Sequence, residues 1–139
     1  MARAAYLADT SVFARLSKPV VAAAAAPLIA QGQIAVCAPV VFEVGFSARS
    51  LDDHKSITSR MTAFESVPVT DGDQRRAVEL QQLLAKRGQH RALSLVDALV
   101  AAVAEARDLI VLHYDADFEL VAELTGQPHR WIVDRGTAD

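Results

Sequence analysis

The stretch that most constrains this chain runs from Ser94 to Arg107, Ser-Leu-Val-Asp-Ala-Leu-Val-Ala-Ala-Val-Ala-Glu-Ala-Arg. Ala and Leu form its body, and it predicts a helix with Ser94 as N-cap. Between Leu95 and Ala104 the only polar side chain is Asp97. A helix apolar nearly all round belongs inside a protein. An ionised carboxylate there is costly unless something compensates it. One compensation is local: Ser94 followed three residues later by an acid forms a capping box, and a first-turn acid suits the helix dipole. For an isolated Asp that reading suffices. The other acids of the chain open a second one.

A buried central helix needs a domain around it, and 139 residues with 52% hydrophobic and 22% charged side chains supply one domain of ordinary size. The net charge of −3 gives no global basic footprint, so nucleic-acid contact has to come from a local patch. One cysteine, Cys37, excludes an internal disulfide and reads as a small buried apolar residue. Four scattered His with that Cys make no zinc pattern. The apolar run Pro19 to Ala30 is too short to span a bilayer and contains Pro27. No signal-peptide pattern opens the chain, so the expectation is a cytoplasmic protein with no membrane contact.

In order, Ala4 to Ala8 predicts a first strand, and Asp9-Thr10-Ser11 starts a helix to about Leu16. A helix over Val20 to Ala30 has Pro27 as kink or stop, and Ile34 to Ala38 is a second strand. Pro39 to Arg49 is the third helix, with Pro at its first position. Ser50 to Asp53 reads as a polar loop and His54 to Glu65 as a fourth helix with Ile57, Met61 and Phe64 on one stripe. Val67 to Thr70 predicts a third strand. Gln74 to Arg87 predicts a surface helix stopped by Gly88. After the central helix come a strand at Leu109 to Leu112, a helix from Asp115 to about Leu124, and an edge strand at Trp131 to Val133. Short apolar strands alternating with helices mean an α/β fold with a mainly parallel sheet covered on both faces. Active sites in such sheets gather beyond the carboxyl ends of the strands.

Asp9 directly follows the first strand, and Asp115 and Asp117 directly follow the fourth. Each also suits a helix cap or first turn. Glu43 lies beyond the first turn of a helix that is apolar on most of its circumference; its alternative is a narrow polar face shared with Ser47. Together these segments present Asp9, Glu43, Asp97, Asp115 and Asp117 in apolar frames. In a doubly wound sheet the ends of strands one and four can be neighbours. Converging carboxylates raise each other's pKa, and a divalent cation removes that cost. Oxygen-only ligands favour Mg²⁺ or Mn²⁺ over Zn²⁺, and such ions serve phosphoryl chemistry.

The ordered set Asp9-Thr10-Ser11, Glu43 in its apolar helix, Ser94-Leu95-Val96-Asp97-Ala98 and Tyr114-Asp115-Ala116-Asp117-Phe118 resembles the acidic motifs of PIN-domain ribonucleases. Order, spacing and length are similar to the VapC toxins of bacterial type II toxin–antitoxin modules. The resemblance covers nearly the whole chain. It implies a three-layer α/β/α sandwich with a mainly parallel twisted sheet of four or five short strands. It implies a catalytic pocket of Asp9, Glu43, Asp97 and Asp115. Asp9, Asp97, Asp115 and the more variable Asp117 would hold Mg²⁺ or Mn²⁺. It implies a metal-activated water attacking an RNA phosphodiester, with tRNA, rRNA or mRNA as substrate. It also implies a cognate VapB-like antitoxin and a homodimer. Thr10 or Ser11 would position a water or a ligand oxygen. Which of Asp115 and Asp117 is the direct ligand stays open.

For the substrate, Lys86, Arg87, His90 and Arg91 cluster just before the central helix, preceded by Arg75 and Arg76. Phosphate contacts supply most sequence-independent affinity, and Arg is a bidentate phosphate partner. The alternative is a solvated helix end whose cations suit the dipole. Arg15 and Arg49 lie near Asp9 and Glu43 in sequence and are candidates for the same cleft. The apolar segment Val20 to Ile29 and the stripe Ile57, Met61 and Phe64 read as core, or in part as a groove for an antitoxin helix. His113 and Trp131 read as packing residues.

Two other classes compete. A receiver-type phosphoacceptor domain would use Asp71 after the third strand, but no Lys follows Lys86 to serve its late strand. A catalytically silent PIN-like binding module would keep the fold without needing the acids.

Overall fold

The computed structural model describes residues 3–139. Its centre is one five-stranded sheet in the order β3-β2-β1-β4-β5. The strands are β1 (Tyr6–Ala8), β2 (Ile34–Val36), β3 (Glu65–Ser66), β4 (Ile110–His113) and β5 (His129–Trp131). Every pairing is parallel. Seven helices connect and cover them: α1 (Thr10–Phe13), α2 (Pro19–Ala30), α3 (Ala38–Phe46), α4 (Leu51–Met61), α5 (Asp71–Ala85), α6 (Leu95–Ala106) and α7 (Asp117–Thr125). Among the described residues no helix is long and apolar enough to cross a membrane.

Period-two alternation divides the strands between two cores. Leu7, paired with Ala35 and Val111, faces a cluster built with Val40, Leu80, Leu84 and α6. Ala8, paired with Leu112, faces the other side, where Val12, Val21, Ala25 and Ile132 close the second cluster. Both sheet faces are therefore covered, which is why these strands read as unbroken apolar runs. The central helix behaves as its composition demands: Ala98 and every residue from Val100 to Ala104 are buried. Each fully buried Val there contributes about 1.5–3 kcal/mol of transfer free energy.

Several boundaries differ from the sequence reading, each for a local reason. The third strand is Glu65–Ser66, not Val67 to Thr70. The ladder to β2 pairs Ala35 with Glu65 and Val36 with Ser66. It makes one further bond, from Val67 N to Val36 O at 2.9 Å. Pro68, with no N–H, ends it. Thr70 is instead the N-cap of α5, in a capping box with Asp73, so that helix starts at Asp71 rather than Gln74. Ser50 to Asp53 is not a loop. The Ser50 side chain accepts the Asp53 N–H, and α4 begins at Leu51. This helix ends at Met61, earlier than Glu65, which instead opens β3. The last strand starts at His129, straight after Pro128, whose carbonyl accepts Val111 N. It sits at the sheet edge as expected. Pro27 does not stop α2, which continues to Ala30. The helix expected to run to Arg87 ends at Ala85 with Lys86 as its C-cap, and Gly88 closes the turn that follows with a left-handed φ of 70°.

The strand order reverses between β1 and β4. The chain winds outward from β1 through β2 to β3, then returns through α5 and α6 to place β4 on the other side of β1. In open parallel sheets the crevice beyond the carboxyl ends at such a reversal is where ligands bind. Asp9 and Asp115 flank it.

Candidate metal centre

Asp9 leaves β1 as the N-cap of α1. Its Oδ2 accepts both the backbone N–H of Ser11, at 3.0 Å, and the Ser11 hydroxyl, at 2.6 Å. The other oxygen, Oδ1, is buried and has no hydrogen-bond partner among the described residues. Asp9 as a whole is 2% exposed. A buried carboxylate oxygen with no donor is expensive, and native structures rarely leave one without a reason.

Asp115 follows β4, but the N-cap of α7 is Ala116, so Asp115 stands one residue ahead of the cap and not in it as the sequence suggested. One of its oxygens, Oδ1, accepts the N–H of Asp117 at 2.9 Å. The Tyr114 N–H is held by Ser11 Oγ at 2.8 Å, so one hydroxyl ties the β4 loop to Asp9. Asp97 enters from the first turn of α6, where its N–H donates to Ser94 Oγ at 3.1 Å. The return half of a capping box, an Asp97 carboxylate on the Ser94 N–H, is not formed. The carboxylate turns to the crevice instead. One oxygen from each of Asp9, Asp97 and Asp115 lies within 4.8 Å of the other two.

The crowding is written into the acids' proton affinities. Burial pushes the Asp97 carboxyl up to about 7, and the charges of Asp9 and Asp115 add to it. Burial also raises Asp9 against the Ser11 hydrogen bonds that lower it, with Asp115 adding to the rise. Asp117 is raised by burial, then by Asp115 and Asp9, so it shares the field of the trio. An octahedral Mg²⁺ with bonds of about 2.1 Å holds neighbouring ligand oxygens about 3 Å apart. The trio needs only a short inward movement of side chains to reach that spacing. Three carboxylates, one of them with an orphaned buried oxygen, fit a hard cation of the Mg²⁺ or Mn²⁺ kind.

Glu43 is exposed on α3 and lies outside the trio. It accepts the Thr10 hydroxyl at 2.6 Å, which sets it beside the α1 turn that carries Asp9. Thr10 and Ser11 thus divide the work: one holds Glu43, the other holds Asp9 and the β4 loop. Arg15 lies at the same end, its guanidinium 4.6 Å from the Tyr114 ring centroid and hydrogen-bonded to Ser11 O. Arg49, Lys86 and Arg91 are exposed. Arg87 is exposed as well and pairs with Glu123 at 3.4 Å. Arg76 is engaged by Glu79 and Glu105. The segment carrying Arg91 leads directly into the Ser94 cap, so it shares the Asp97 end of α6. Asp71 is exposed at the start of α5 and takes no part in the carboxylate trio.

Two features escape a reading of the chain in one dimension. Ser11 sits 103 residues from the backbone N–H it holds. His113 and His129, scattered in sequence, meet across β4 and β5 with Nε2 and Nδ1 2.8 Å apart. Burial, with the neighbouring His129, holds the His113 imidazole neutral, its pKa down at about 3. Cys37 is buried, and burial pushes its thiol up to about 11. It is an inert packing group, as its composition class suggests. The segment Val20 to Ile29 and the Ile57, Met61, Phe64 stripe are not wholly core. Ile29, Ile57, Met61 and Phe64 help line one open groove of about 560 Å³.

A parallel sandwich with a carboxylate crevice at its strand-order reversal defines a class of α/β domain with an acidic site able to hold a metal ion. The PIN domain family model matches residues 6–124. Ribonuclease VapC51 of Mycobacterium tuberculosis is 46% identical over 96% of this chain and 97% of its own. The VapBC-5 toxin–antitoxin structure from Mycobacterium tuberculosis covers 91% of this chain and 96% of its own at 27% identity, with a TM-score of 0.60. The DNA-bound VapBC structure from Salmonella typhimurium shares the fold at a TM-score of 0.75 and 16% identity, over 94% of this chain and 99% of that one. The chain therefore belongs to the PIN-domain family and, within it, to the VapC ribonucleases.

Proposed function

We propose that this VapC-family domain is the ribonuclease toxin of a toxin–antitoxin pair. It hydrolyses RNA phosphodiester bonds at the crevice between β1 and β4, with Asp9, Asp97 and Asp115 as ligands of Mg²⁺ or Mn²⁺. The observation that carries this is the convergence of the three acids within 4.8 Å, one of which, Asp9, also has a buried oxygen with no hydrogen-bond partner. The 46% identity to a ribonuclease VapC supports RNA as the substrate.

Such an ion, when bound, lowers the pKa of a water and stabilises the charge of an in-line displacement. The chain's own residues do the rest. Ser11 fixes the rotamer of Asp9 by donating to Oδ2, which leaves Oδ1 without a protein donor. Asp117 donates its N–H to Asp115 and adds a further negative charge at the rim. Glu43, an exposed carboxylate that accepts the hydroxyl of Thr10, the residue after Asp9, is the group we assign to assist at the crevice mouth. Arg15, Arg49, Lys86, Arg87 and Arg91 are the cations we assign to substrate phosphates. Of these, Arg87 has to leave Glu123 to serve.

The VapBC-5 likeness, at 27% identity, supports a VapB-like antitoxin as partner. The apolar groove bordered by Ile29, Ile57 and Phe64 is suited to an amphipathic helix. The test is direct. Purified protein is incubated with RNA and Mg²⁺, with EDTA, and as the Asp9→Asn and Asp97→Asn variants. Cleavage is expected only for the unmodified chain with metal. Cleavage that survives both substitutions in a folded protein removes the pocket from the mechanism.

A further inference from the structure

His113 is fully buried at the end of β4, packed among Phe118, His129 and Trp131 with ring centroids 5.0 Å away. Its size alone would justify it as filler. Its polar contacts do something filler does not. The ring Nδ1 lies 3.1 Å from the backbone N of Asp115, which can only donate. A neutral imidazole accepting at Nδ1 carries its proton on Nε2. That proton points at His129 Nδ1, 2.8 Å away. The two rings therefore form a directed chain from the edge strand β5 to the Asp115 peptide.

Beyond Ile132 N on His113 O, the sheet ladder offers the β4 loop nothing more. The N–H groups that follow are held by side chains: Tyr114 by Ser11, Asp115 by His113, Asp117 by Asp115 itself. Of these, only the His113 contact reaches from the hydrophobic interior to the residue whose carboxylate joins the trio. An apolar ring at position 113 would fill the space and leave the Asp115 N–H without a partner.

We propose that His113 is a positioning residue for the metal centre: by accepting the Asp115 N–H at Nδ1, with its tautomer set by His129, it aims the Asp115 carboxylate into the crevice. The inference rests on the metal reading above. Metal-site His ligands are commonly oriented by outer partners, and loss of such a partner costs about 10–100-fold in affinity. Here the orienting group acts on a carboxylate through its backbone.

Two substitutions separate positioning from packing. His113→Asn keeps an acceptor two bonds from Cβ, where Nδ1 was, and leaves the larger void. His113→Gln carries its amide one carbon further, toward His129, and fills more of the space. Packing alone ranks Gln above Asn; positioning ranks Asn above Gln. The measurement is Mn²⁺ affinity by titration calorimetry on the full chain, with Tm recorded for each variant. Asn is expected within about 3-fold of the unmodified protein, and Gln weaker by about tenfold or more. Equal affinities in the two variants, or a loss that follows Tm, overturns the inference. Failure of the unmodified chain to bind Mn²⁺ overturns the metal reading beneath it. If either variant does not fold, nitrogen-15 NMR of the unmodified imidazoles decides. A proton on Nε2 of His113 supports the proposal, and a proton on Nδ1 refutes it.

Discussion

Replacing Asp97 by Asn should stabilise the metal-free protein at pH 8 and have a much smaller effect near pH 4.5. Burial, then the charges of Asp9 and Asp115, lifts the Asp97 carboxyl from 3.8 to about 7. In the unfolded chain the same group titrates near its ordinary value of about 3.9. The folded state thus holds a proton over a range where the unfolded state has released it. The stability this contributes is full below about pH 4 and is lost as pH rises through 7. Three units of displacement at about 1.36 kcal/mol each set an upper bound of ~4 kcal/mol on the loss. Asp97 keeps partial contact with solvent, and screening brings the figure nearer ~2 kcal/mol. Asn cannot ionise and avoids the loss, but forgoes the first-turn acid's interaction with the helix dipole, about 0.3–1 kcal/mol. The net gain at pH 8 is about 1–2 kcal/mol, a Tm rise of roughly 3–7 °C for a chain of this length. Thermal melts of both proteins in EDTA across pH 4.5 to 8 read it. With excess Mg²⁺ at pH 8 the order should reverse, since only the trio-bearing protein gains from a ligand that binds the native state. An Asn effect that is constant across pH, or a destabilisation that grows toward pH 8, would refute the account of a crowded acidic crevice.

Other perturbations test the same frame from different sides. Ser11→Ala removes the hydroxyl shared by Asp9 and the Tyr114 N–H. It should cost about 2 kcal/mol of stability, as a charge-assisted bond does, and lower Mn²⁺ affinity about tenfold, both readable in one calorimetric series. Asp9→Asn should reduce RNA cleavage at least about 100-fold, the upper end of what even outer metal partners cost, with far-UV circular dichroism unchanged. Asp73 is buried, which by itself raises its pKa, yet the Thr70 N–H and Arg107 hold it below its ordinary value. Asp73→Ala should therefore lose about 3 kcal/mol at neutral pH, seen in urea melts. That difference should fade as pH falls through the Asp73 value, since a lowered carboxyl contributes only while ionised. Arg91→Ala, measured on the Asp9→Asn background, should weaken RNA binding and reduce its salt slope by about 1. Arg87→Ala should do less, because its free state is already paired with Glu123.

The class of the fold was legible because apolar periodicity and helix punctuation are local. The burial of α6 followed from its having one polar side chain in ten residues. What one dimension obscured was mostly the handover between cap and strand. Ser50 and Asp53 carry the spacing of a cap and its first-turn acid, and Thr70 and Asp73 carry a full capping box, yet each motif sits in polar surroundings that read as loop or turn. The third strand moved because a strand of two residues is fixed by its neighbour's open edge and by Pro68, not by its own composition.

The acids posed the harder problem, since each admitted a bland reading, Glu43 as part of a polar surface face and the others as a cap or first-turn acid. The structure shows that the two readings do not compete. A carboxylate has two oxygens: at Asp9, Oδ2 satisfies the α1 turn while Oδ1 stays buried and unpaired. At Asp115, Oδ1 takes the Asp117 N–H while one carboxylate oxygen joins the trio. The cap bond at Asp9 fixes the rotamer in which its carboxylate lies within the trio, which lowers the entropy cost of bringing the acids together. Asp97 achieves the aim differently: its backbone N–H, not its carboxylate, completes the Ser94 cap, which leaves the whole charged group for the crevice. Glu43, one turn deeper in its helix, has no cap to share and is steered by the Thr10 hydroxyl alone. That contact joins residues 33 apart in the chain, and nothing at either position announces the other. The capping role of Asp9 and its place in the acidic trio are therefore held by one side chain with two oxygens, a level that a one-letter sequence does not resolve.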